Sequence, residues 1–347
     1  YKKQNMSPKN LNVSNKTHRF LLNKLKDKET FQIYKKFEKD LNLNQDFIVG
    51  VSGGPDSLAL SYLSKIYSIK NHLNVKYFIV DHKLRSNSTK EAKFVKLLFK
   101  KISTNLEILT WRGKKPKSNI QSIARNKRYE LLINRAKKLK VKNILLGHHK
   151  DDLIENFFIR ILRGSGLNGI ISFDKKSQYQ NFNFIRPLLK FSKEDLEKLT
   201  KKVFGIYIQD PSNINNEFKR ARIRNFIKKL ELDGLDKDKF NLTIKNLKFA
   251  NESIKFFVDK NLKDNSVNTQ PNNYIVLNKD FFHQPEEVVF RSLSEVLKIV
   301  GERYYPVRGK KIDQLIDRIK NNYSFKITLG NCILKKVNNT IIVSKEH

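Results

Sequence analysis

The sequence has 347 residues, 39% of them hydrophobic, with 24 Phe and 12 Tyr. That is enough apolar material for about two folded domains and argues against intrinsic disorder. There are 70 Lys and Arg against 34 Asp and Glu, a formal net charge of +36, and one cysteine, Cys332. A single cysteine excludes a disulfide framework and a Cys-ligated zinc site or iron–sulfur cluster, and no run of about 18 apolar residues exists to span a membrane.

Residues 1–17 are polar, and no apolar stretch follows Tyr1–Asn5, so no secretory signal is read there. The chain has no initiator Met and is expected to begin inside its reading frame. The expected setting is soluble and cytoplasmic. Residues 18–42 repeat apolar positions with a helical period and predict one or two helices. The texture then changes. Phe47–Val51 reads as a buried strand, 56–67 as a helix, and Val75–Val80 as a second strand. A helix follows over 88–102, then a strand at Leu106–Trp111, a long helix over 119–139 and a strand at Asn143–Gly147. Asp151–Arg163 is a predicted helix, with Asp151 as candidate N-cap and Gly164 as its stop. Strands alternating with helices predict an α/β fold: a doubly wound, Rossmann-like parallel sheet covered on both faces. Right-handed crossovers then bring every strand-to-helix loop to one edge.

Beyond this, Ser192–Phe204 reads as a helix and Ile206–Ile208 as a short strand. Helical texture returns over 236–262, followed by an Asn-, Ser- and Pro-containing stretch (261–273). Helices are predicted at Glu286–Val300 and Lys310–Asn321, then two hairpin-like strands around Asn338-Asn339. No internal repeat is visible. The expected division is 1–225 and 226–347, the second part mostly α-helical with a small β element.

The charge points to a polyanion, because Lys and Arg displace counterions from phosphates. It also has a plainer source. The 54 Lys outnumber the 16 Arg, and with many Asn and Ile this is the profile of an AT-rich genome. Against that background the Arg clusters stand out, because Arg offers a bidentate fork that Lys lacks. They are Arg125/Arg128, Arg160/Arg163 and Arg220/Arg222/Arg224.

Two segments carry chemistry. Ser52-Gly53-Gly54-Pro55-Asp56-Ser57 joins the first strand to its helix. The glycines let backbone N–H groups approach an anion, and the helix N-terminus adds its dipole. The loop lacks the Gly-Lys-Ser/Thr ending of a P-loop, which suits a site where pyrophosphate leaves. Asp56 is placed to hold Mg²⁺ or to lie near the reacting centre. The second segment is Gly147-His148-His149-Lys150-Asp151-Asp152-Leu153-Ile154-Glu155-Asn156, on the same sheet edge. Asp152 and Glu155 lie three apart on one helix face. First-turn carboxylates also favour a helix dipole. In so cationic a chain, however, they make a local negative pocket suited to an ammonium group. His148 can fold over that face, and His149 is read as structural for want of a facing partner.

The glycine loop resembles the pyrophosphate loop of the N-type ATP pyrophosphatase (PP-loop) family. Further segments resemble one branch of it, the tRNA(Ile)-lysidine synthetases. They are Val80-Asp81-His82-Lys83-Leu84-Arg85, Gln121–Tyr129, His148–Glu155, Arg163-Gly164-Ser165-Gly166, Ile185-Arg186-Pro187-Leu188-Leu189, and Asp210-Pro211-Ser212-Asn213 to Arg224, all in family order. Lys83 stands where Gly is frequent, Asn156 where Thr is usual and Ala221 where Asn is frequent. Tyr305-Pro306 to Val343 resembles the end of the family's substrate-recognition domain. The further C-terminal domain of longer members has no counterpart in the match.

The resemblance implies a reaction. ATP adenylates the C2 oxygen of the wobble cytidine (position 34) in a CAU-anticodon isoleucine tRNA, and pyrophosphate leaves. The ε-amine of free L-lysine then displaces AMP, giving lysidine, so that AUA is read instead of AUG and identity moves from Met to Ile. It also implies roles. Ser52, Gly53, Gly54, Pro55, Asp56 and Ser57 bind ATP, with Mg²⁺ at Asp56. Asp56, Arg128 and His148 are catalytic, with Arg125 assisting Arg128. Asp152 and Glu155 bind lysine, and Arg220, Arg222 and Arg224 contact tRNA. No protein partner is inferred, and homodimerisation is left open. The rivals are a PP-loop tRNA 2-thiolation enzyme, an amidotransferase-type synthetase and a non-catalytic RNA-binding relative.

Overall fold

The computed structural model describes residues 16–113, 116, 118–209, 219–269, 274–303, 307–321 and 324–346. Asp210-Pro211-Ser212-Asn213 and Tyr305-Pro306 lie outside the described residues. The chain divides into two compact units, 1–241 and 242–347.

The first unit begins with α1 (Lys16–Lys24) and α2 (Lys28–Leu41). Asp27 caps α2, its side chain accepting from the Thr30 N–H at 3.0 Å. Then come β1 (Phe47–Val51), α3 (Pro55–Lys70), β2 (Val75–Asp81), α4 (Ser88–Leu98), β3 (Leu106–Thr110), α5 (Ile120–Lys138) and β4 (Asn143–Leu146). They are followed by α6 (Lys150–Ile161), α7 (Leu167–Ile170), β5 (Lys176–Tyr179), β6 (Phe182–Ile185), α8 (Lys193–Phe204) and α9 (Lys219–Leu232).

The sheet order is β3-β2-β1-β4-β6-β5. All neighbours are parallel except β5, which pairs antiparallel with β6. Continuous apolar runs form these strands because both faces are buried. Phe47, Val49 and Val51 face one core with Tyr77, Ile79 and Leu145, under α3, α4 and α8. Ile48 faces the other with Phe78, Ile144 and Leu146, under Leu132, Ile133 and Ala136 of α5. The chain winds outward from β1 to β3, then returns to β4 on the other side of β1. The sheet's topological switch is therefore between β1 and β4, where an open α/β sheet leaves a crevice.

Three details differ from the expectation. Residues 206–208 form no strand; instead the Ile208 N–H donates to the Gly53 carbonyl at 3.0 Å and holds down the glycine loop. The β5–β6 hairpin was not foreseen. It turns on Gln180 (φ 47°) and Asn181 (φ 63°), as a two-residue primed turn requires. The unit division falls after Asn241 rather than near 225. Ile223 and Ile227 of α9 bury against Ile154 and Ile159 of α6, which keeps α9 in the first unit.

The division falls within α10 (Lys237–Asn265). The second unit continues with β7 (Ser266–Thr269), β8 (Tyr274–Leu277), α11 (Glu286–Val300), α12 (Gly309–Asn321), β9 (Phe325–Leu329), β10 (Cys332–Val337) and β11 (Thr340–Lys345). Its β element is a five-stranded antiparallel sheet in the order β7-β8-β11-β10-β9. Leu293, Val296 and Leu297 of α11 and Ile312 and Leu315 of α12 pack on Leu277, Leu334 and Val343 of that sheet. Cys332 is buried in this core.

Candidate active site

The glycine loop leaves the carboxyl end of β1, and the His148–Glu155 segment leaves that of β4. These strands are neighbours, so the segments start about 4.8 Å apart. Gly147 lets them close up further. A Cβ there would lie 3.0 Å from both Cα and N of Ser57 and 3.1 Å from the Asp56 carbonyl carbon. Gly53 has φ +87°, and a Cβ on it would meet Val95 Cγ2 at 2.7 Å. The conformation and the contact both require glycine.

Ser57 organises the loop from inside. Its Oγ accepts the N–H groups of Ser52 and Gly53, each at 3.1 Å, and the Ser52 hydroxyl at 3.1 Å, and donates to the Gly54 carbonyl at 3.0 Å. Pro55 takes the first turn of α3, where its missing N–H costs nothing. Thr200 of α8 donates to the Pro55 carbonyl at 2.7 Å. Ser57 therefore shapes the cradle, and the Gly53–Gly54 backbone forms its wall.

His149, rather than Asp151, is the N-cap of α6. Its Nδ1 accepts the Asp151 N–H at 3.3 Å, and the Asp152 carboxylate accepts the His149 N–H at 2.9 Å. That arrangement leaves Nε2 as the nitrogen that can donate. His149 is buried, and Nε2 faces Asp56 Oδ2 and Asp152 Oδ2, each at 3.8 Å. It thus has two facing partners, contrary to the sequence reading. A histidine three residues before an aspartate at a helix start was the signal that could have found it.

The carboxylates are not equivalent. Burial pushes Asp56 up to about 6; His149 opposes this and Asp152 adds to it. Its Oδ1 is buried without a hydrogen-bond partner. Burial also raises Asp152, but His149, through its ring and its N–H, and the charge of Arg220 outweigh it and hold that group below the usual value. Glu155 is raised, by burial and by the charge of Asp152 against the counter-pull of Arg224. One carboxylate prone to protonation beside one held ionised is a pattern common to sites that handle protons and cations.

Among the described residues no group of three or more His, Cys, Asp or Glu side chains converges as a metal site. Mg²⁺ with a nucleotide needs only one or two carboxylates plus phosphates, and the unpartnered Asp56 Oδ1 fits that demand. If Asp56 works as an anion, the KM for ATP should fall as pH rises from about 5 to about 7 and then level off. The same raised value means that the native chain holds this proton more tightly than the unfolded one. Asp56's contribution to stability is therefore present at low pH and lost as pH rises through about 6. A KM for ATP that is flat over that interval would show that Asp56 does not titrate in the site.

Arg128 is carried by α5, and its charge is felt at His148. Arg128 Nε is buried without a hydrogen-bond partner. Its guanidinium is destabilised by burial and by Arg125 and Arg220, partly offset by Tyr129. Arg125 donates to the Tyr129 hydroxyl at 2.9 Å. His148 stands edge-on to Phe173 at 5.2 Å between centroids. Burial, opposed by Asp152 and reinforced by Arg186, Arg125 and Arg128, keeps its ring neutral. Arg186 was not foreseen as a contributor. It is buried, donates to the Asp174 carbonyl and Ser177, and lies over the Phe173 ring at 4.8 Å.

The structure divides the Arg220/Arg222/Arg224 group. On α9, Arg222 is exposed, whereas Arg220 and Arg224 are half-buried one turn apart. Arg224 forms an ion pair with Glu155 through Nε, with Nη2 at 3.3 Å from Oε2, and the charge of Arg220 is felt at both Asp152 and Glu155. Arg220 and Arg224 thus face the acidic helix, and only Arg222 faces solvent, because residues four apart share a helix face.

The PP-loop domain family matches residues 25–231. A tRNA(Ile)-lysidine synthase of Wolbachia pipientis wMel is 33% identical over 307 residues, covering 87% of this chain and 71% of that protein. Its counterpart in Orientia tsutsugamushi (strain Boryong) is 33% identical over 316 residues, covering 87% and 70%. A solved U34-tRNA thiolase from Methanococcus maripaludis, with its 4Fe–4S cluster, superposes with a TM-score of 0.56 at 17% identity, covering 65% of this chain and 79% of that one. That likeness speaks to the fold alone, and a chain with one cysteine cannot ligate such a cluster through four thiolates. A glycine loop with no P-loop lysine, an acidic helix pressed against it through Gly147, and relatives that match along most of the chain together place this protein in the tRNA(Ile)-lysidine synthase family of PP-loop, ATP-dependent ligases.

Proposed function

We propose that this chain ligates L-lysine to C2 of the wobble cytidine of a CAU-anticodon isoleucine tRNA, in two steps that share one site. The observation that carries the reading is the contact of Gly147 with Asp56–Ser57, which brings a phosphate cradle and an acidic helix to one switch point.

In the first step the C2 oxygen of cytidine attacks the α-phosphorus of ATP and pyrophosphate leaves. The Gly53–Gly54 backbone and the N-terminus of α3 receive the phosphates. Arg128 neutralises charge developing at the α-phosphate. Asp56 would hold Mg²⁺, which when bound neutralises phosphate charge. In the second step the neutral ε-amine of lysine forms the C2–N bond as the C2–O bond to AMP breaks, and the new C2–N nitrogen releases a proton to water. Asp152, held ionised by His149 and Arg220, binds the lysine ammonium. Glu155 completes that pocket once Arg224 shares it. His148 stays neutral and positions the base, and the exposed Arg222 contacts the tRNA backbone.

Asp152→Asn separates the two steps. The variant should still release pyrophosphate when given tRNA and ATP, while its KM for lysine rises at least about tenfold, the loss of one charge-assisted contact. Unchanged lysine dependence would remove Asp152 from the lysine site.

A further inference from the structure

Beside the reaction centre is a cavity that none of these roles uses. It lies at the carboxyl ends of β2 and β3, has a volume of about 220 Å³ and is lined by His82, Lys83, Trp111, Arg112 and Gly113. Trp111 continues the β3 register, its N–H donating to the Asp81 carbonyl at 2.9 Å. His82 stands edge-on to Trp111, with centroids 6.1 Å apart and planes at 88°. These two rings form a corner, and Lys83 and Arg112 are exposed at its mouth. Lys83 is held at φ +51°, with its N–H donating to Asp81 Oδ1 at 3.0 Å. The same Asp81 carboxylate takes the hydroxyls of Ser88 and Thr89, which makes the wall on that side rigid.

We infer that this cavity binds one unpaired nucleobase of the tRNA substrate, stacked on Trp111, read on its edge by His82 and with its phosphate between Lys83 and Arg112.

Four observations support the inference, which rests on the tRNA reading above. The cavity is smaller than the roughly 300–1,000 Å³ of a drug-sized pocket, as suits a single base. His82 Nδ1 is buried without a hydrogen-bond partner. Burial and the charge of Arg128, against that of Asp81, push this imidazole down to about 4, so it meets a base as a neutral ring with one donor and one acceptor. Finally, Trp111 opens the sequence Trp-Arg-Gly-Lys-Lys-Pro-Lys. An aromatic platform beside a run of cations is how single-stranded RNA is held. The adenine of ATP is the competing source of a flat ring. The exposed Lys83 and Arg112 at the mouth favour RNA, because they suit a nucleotide that brings a phosphate there, whereas the triphosphate of ATP has its own cradle after β1.

The chain has one tryptophan, so its fluorescence reports on this cavity alone. An RNA stem–loop carrying the CAU anticodon should quench Trp111 saturably, and a non-hydrolysable ATP analogue should not. Trp111→Ala should raise the KM for tRNA about 5- to 100-fold, the loss of one base–aromatic stack. The KM for ATP and kcat should be kept, and Trp111→Phe should restore most of the affinity. Quenching by the ATP analogue alone would give the cavity to adenine and overturn the inference. So would RNA that binds without changing the fluorescence, or a Trp111→Ala enzyme with the wild-type KM for tRNA. Should Trp111→Ala fail to fold, the wild-type fluorescence and Trp111→Phe still decide. Loss of lysine incorporation with quenching intact would count against the proposed reaction and leave the cavity standing.

Discussion

Gly147→Ala should lower ATP-dependent activity by about threefold to tenfold while the chain still folds. The added Cβ would press on backbone atoms of Asp56 and Ser57 at 3.0–3.1 Å, and backbone cannot rotate aside as a flexible side chain can. Relief requires β4 and the start of α3 to separate, which moves Asp152 and His149 away from Asp56. Contacts of 3.0–3.1 Å are relieved by a few tenths of an ångström, and since a full 1 Å in a reacting constellation costs roughly 10²-fold, a loss of about threefold to tenfold follows. The accompanying loss of stability should be about 1–3 kcal/mol, the usual cost of overpacking. Pyrophosphate release measured beside a thermal melt separates the two effects. A variant with wild-type turnover would mean that the two segments need not touch for catalysis.

Arg224→Ala should lower the melting temperature by about 5–10 °C. Glu155 is buried, and Arg224 is its ion-pair partner across α6 and α9. Breaking a buried pair from one side costs about 3–5 kcal/mol, because the remaining charge has lost its compensation. The Arg224 side chain is 31% exposed, so about 2–3 kcal/mol is the reasonable share, and each kcal/mol shifts a unit of this size by about 2–4 °C. Glu155 is already raised by burial and by Asp152 and should rise further without the guanidinium. If Glu155 is also part of the lysine pocket, free lysine supplies the missing cation. Lysine should then raise the variant's melting temperature more than the wild type's, by mass action. An unchanged melting temperature would show that the ion pair does not form in solution. A drop that lysine does not repair would confine Glu155 to a structural role.

How far the sequence could be read depended on whether a feature was local. The alternation of strands and helices was legible because Phe47–Val51, Tyr77–Ile79 and Ile144–Leu146 are continuous apolar runs, which a sheet buried on both faces demands. The approach of the glycine loop and the acidic helix was legible too, since loops that follow parallel strands share an edge. Lys176–Tyr179 was not legible as a strand. Its side chains are polar or half-exposed, and its turn uses Gln180-Asn181 in place of the familiar Asn-Gly. The small sheet of the second unit was half seen. The turn at Asn338-Asn339 marks β10 and β11, while β7, β8 and β9 are short strands between helices.

The site was harder for a different reason. Asp152 and Glu155 were recognisable as two carboxylates on one helix face. Nothing local showed that Arg224, 69 residues later, would pair with the second of them. The distant one of the two partners facing His149 was likewise invisible, because Asp56 reaches it only through the β1–β4 contact. Arg220, Arg222 and Arg224 looked alike in sequence and differ once α9 is set against α6. The charge of +36 needs the same care. The informative cations are the few arginines beside the motifs, and the informative anions are Asp56, Asp152 and Glu155, which a net total hides.

The central claim is that one switch point serves both ATP and free lysine on a tRNA substrate. The direct measurement is an incubation of the purified chain with CAU-anticodon isoleucine tRNA, ATP and radiolabelled lysine. The account predicts label in acid-precipitable tRNA that depends on ATP, is accompanied by pyrophosphate and AMP, and survives mild base. Label that mild base removes, as it would an aminoacyl ester, or no label at all while pyrophosphate is released, would contradict it.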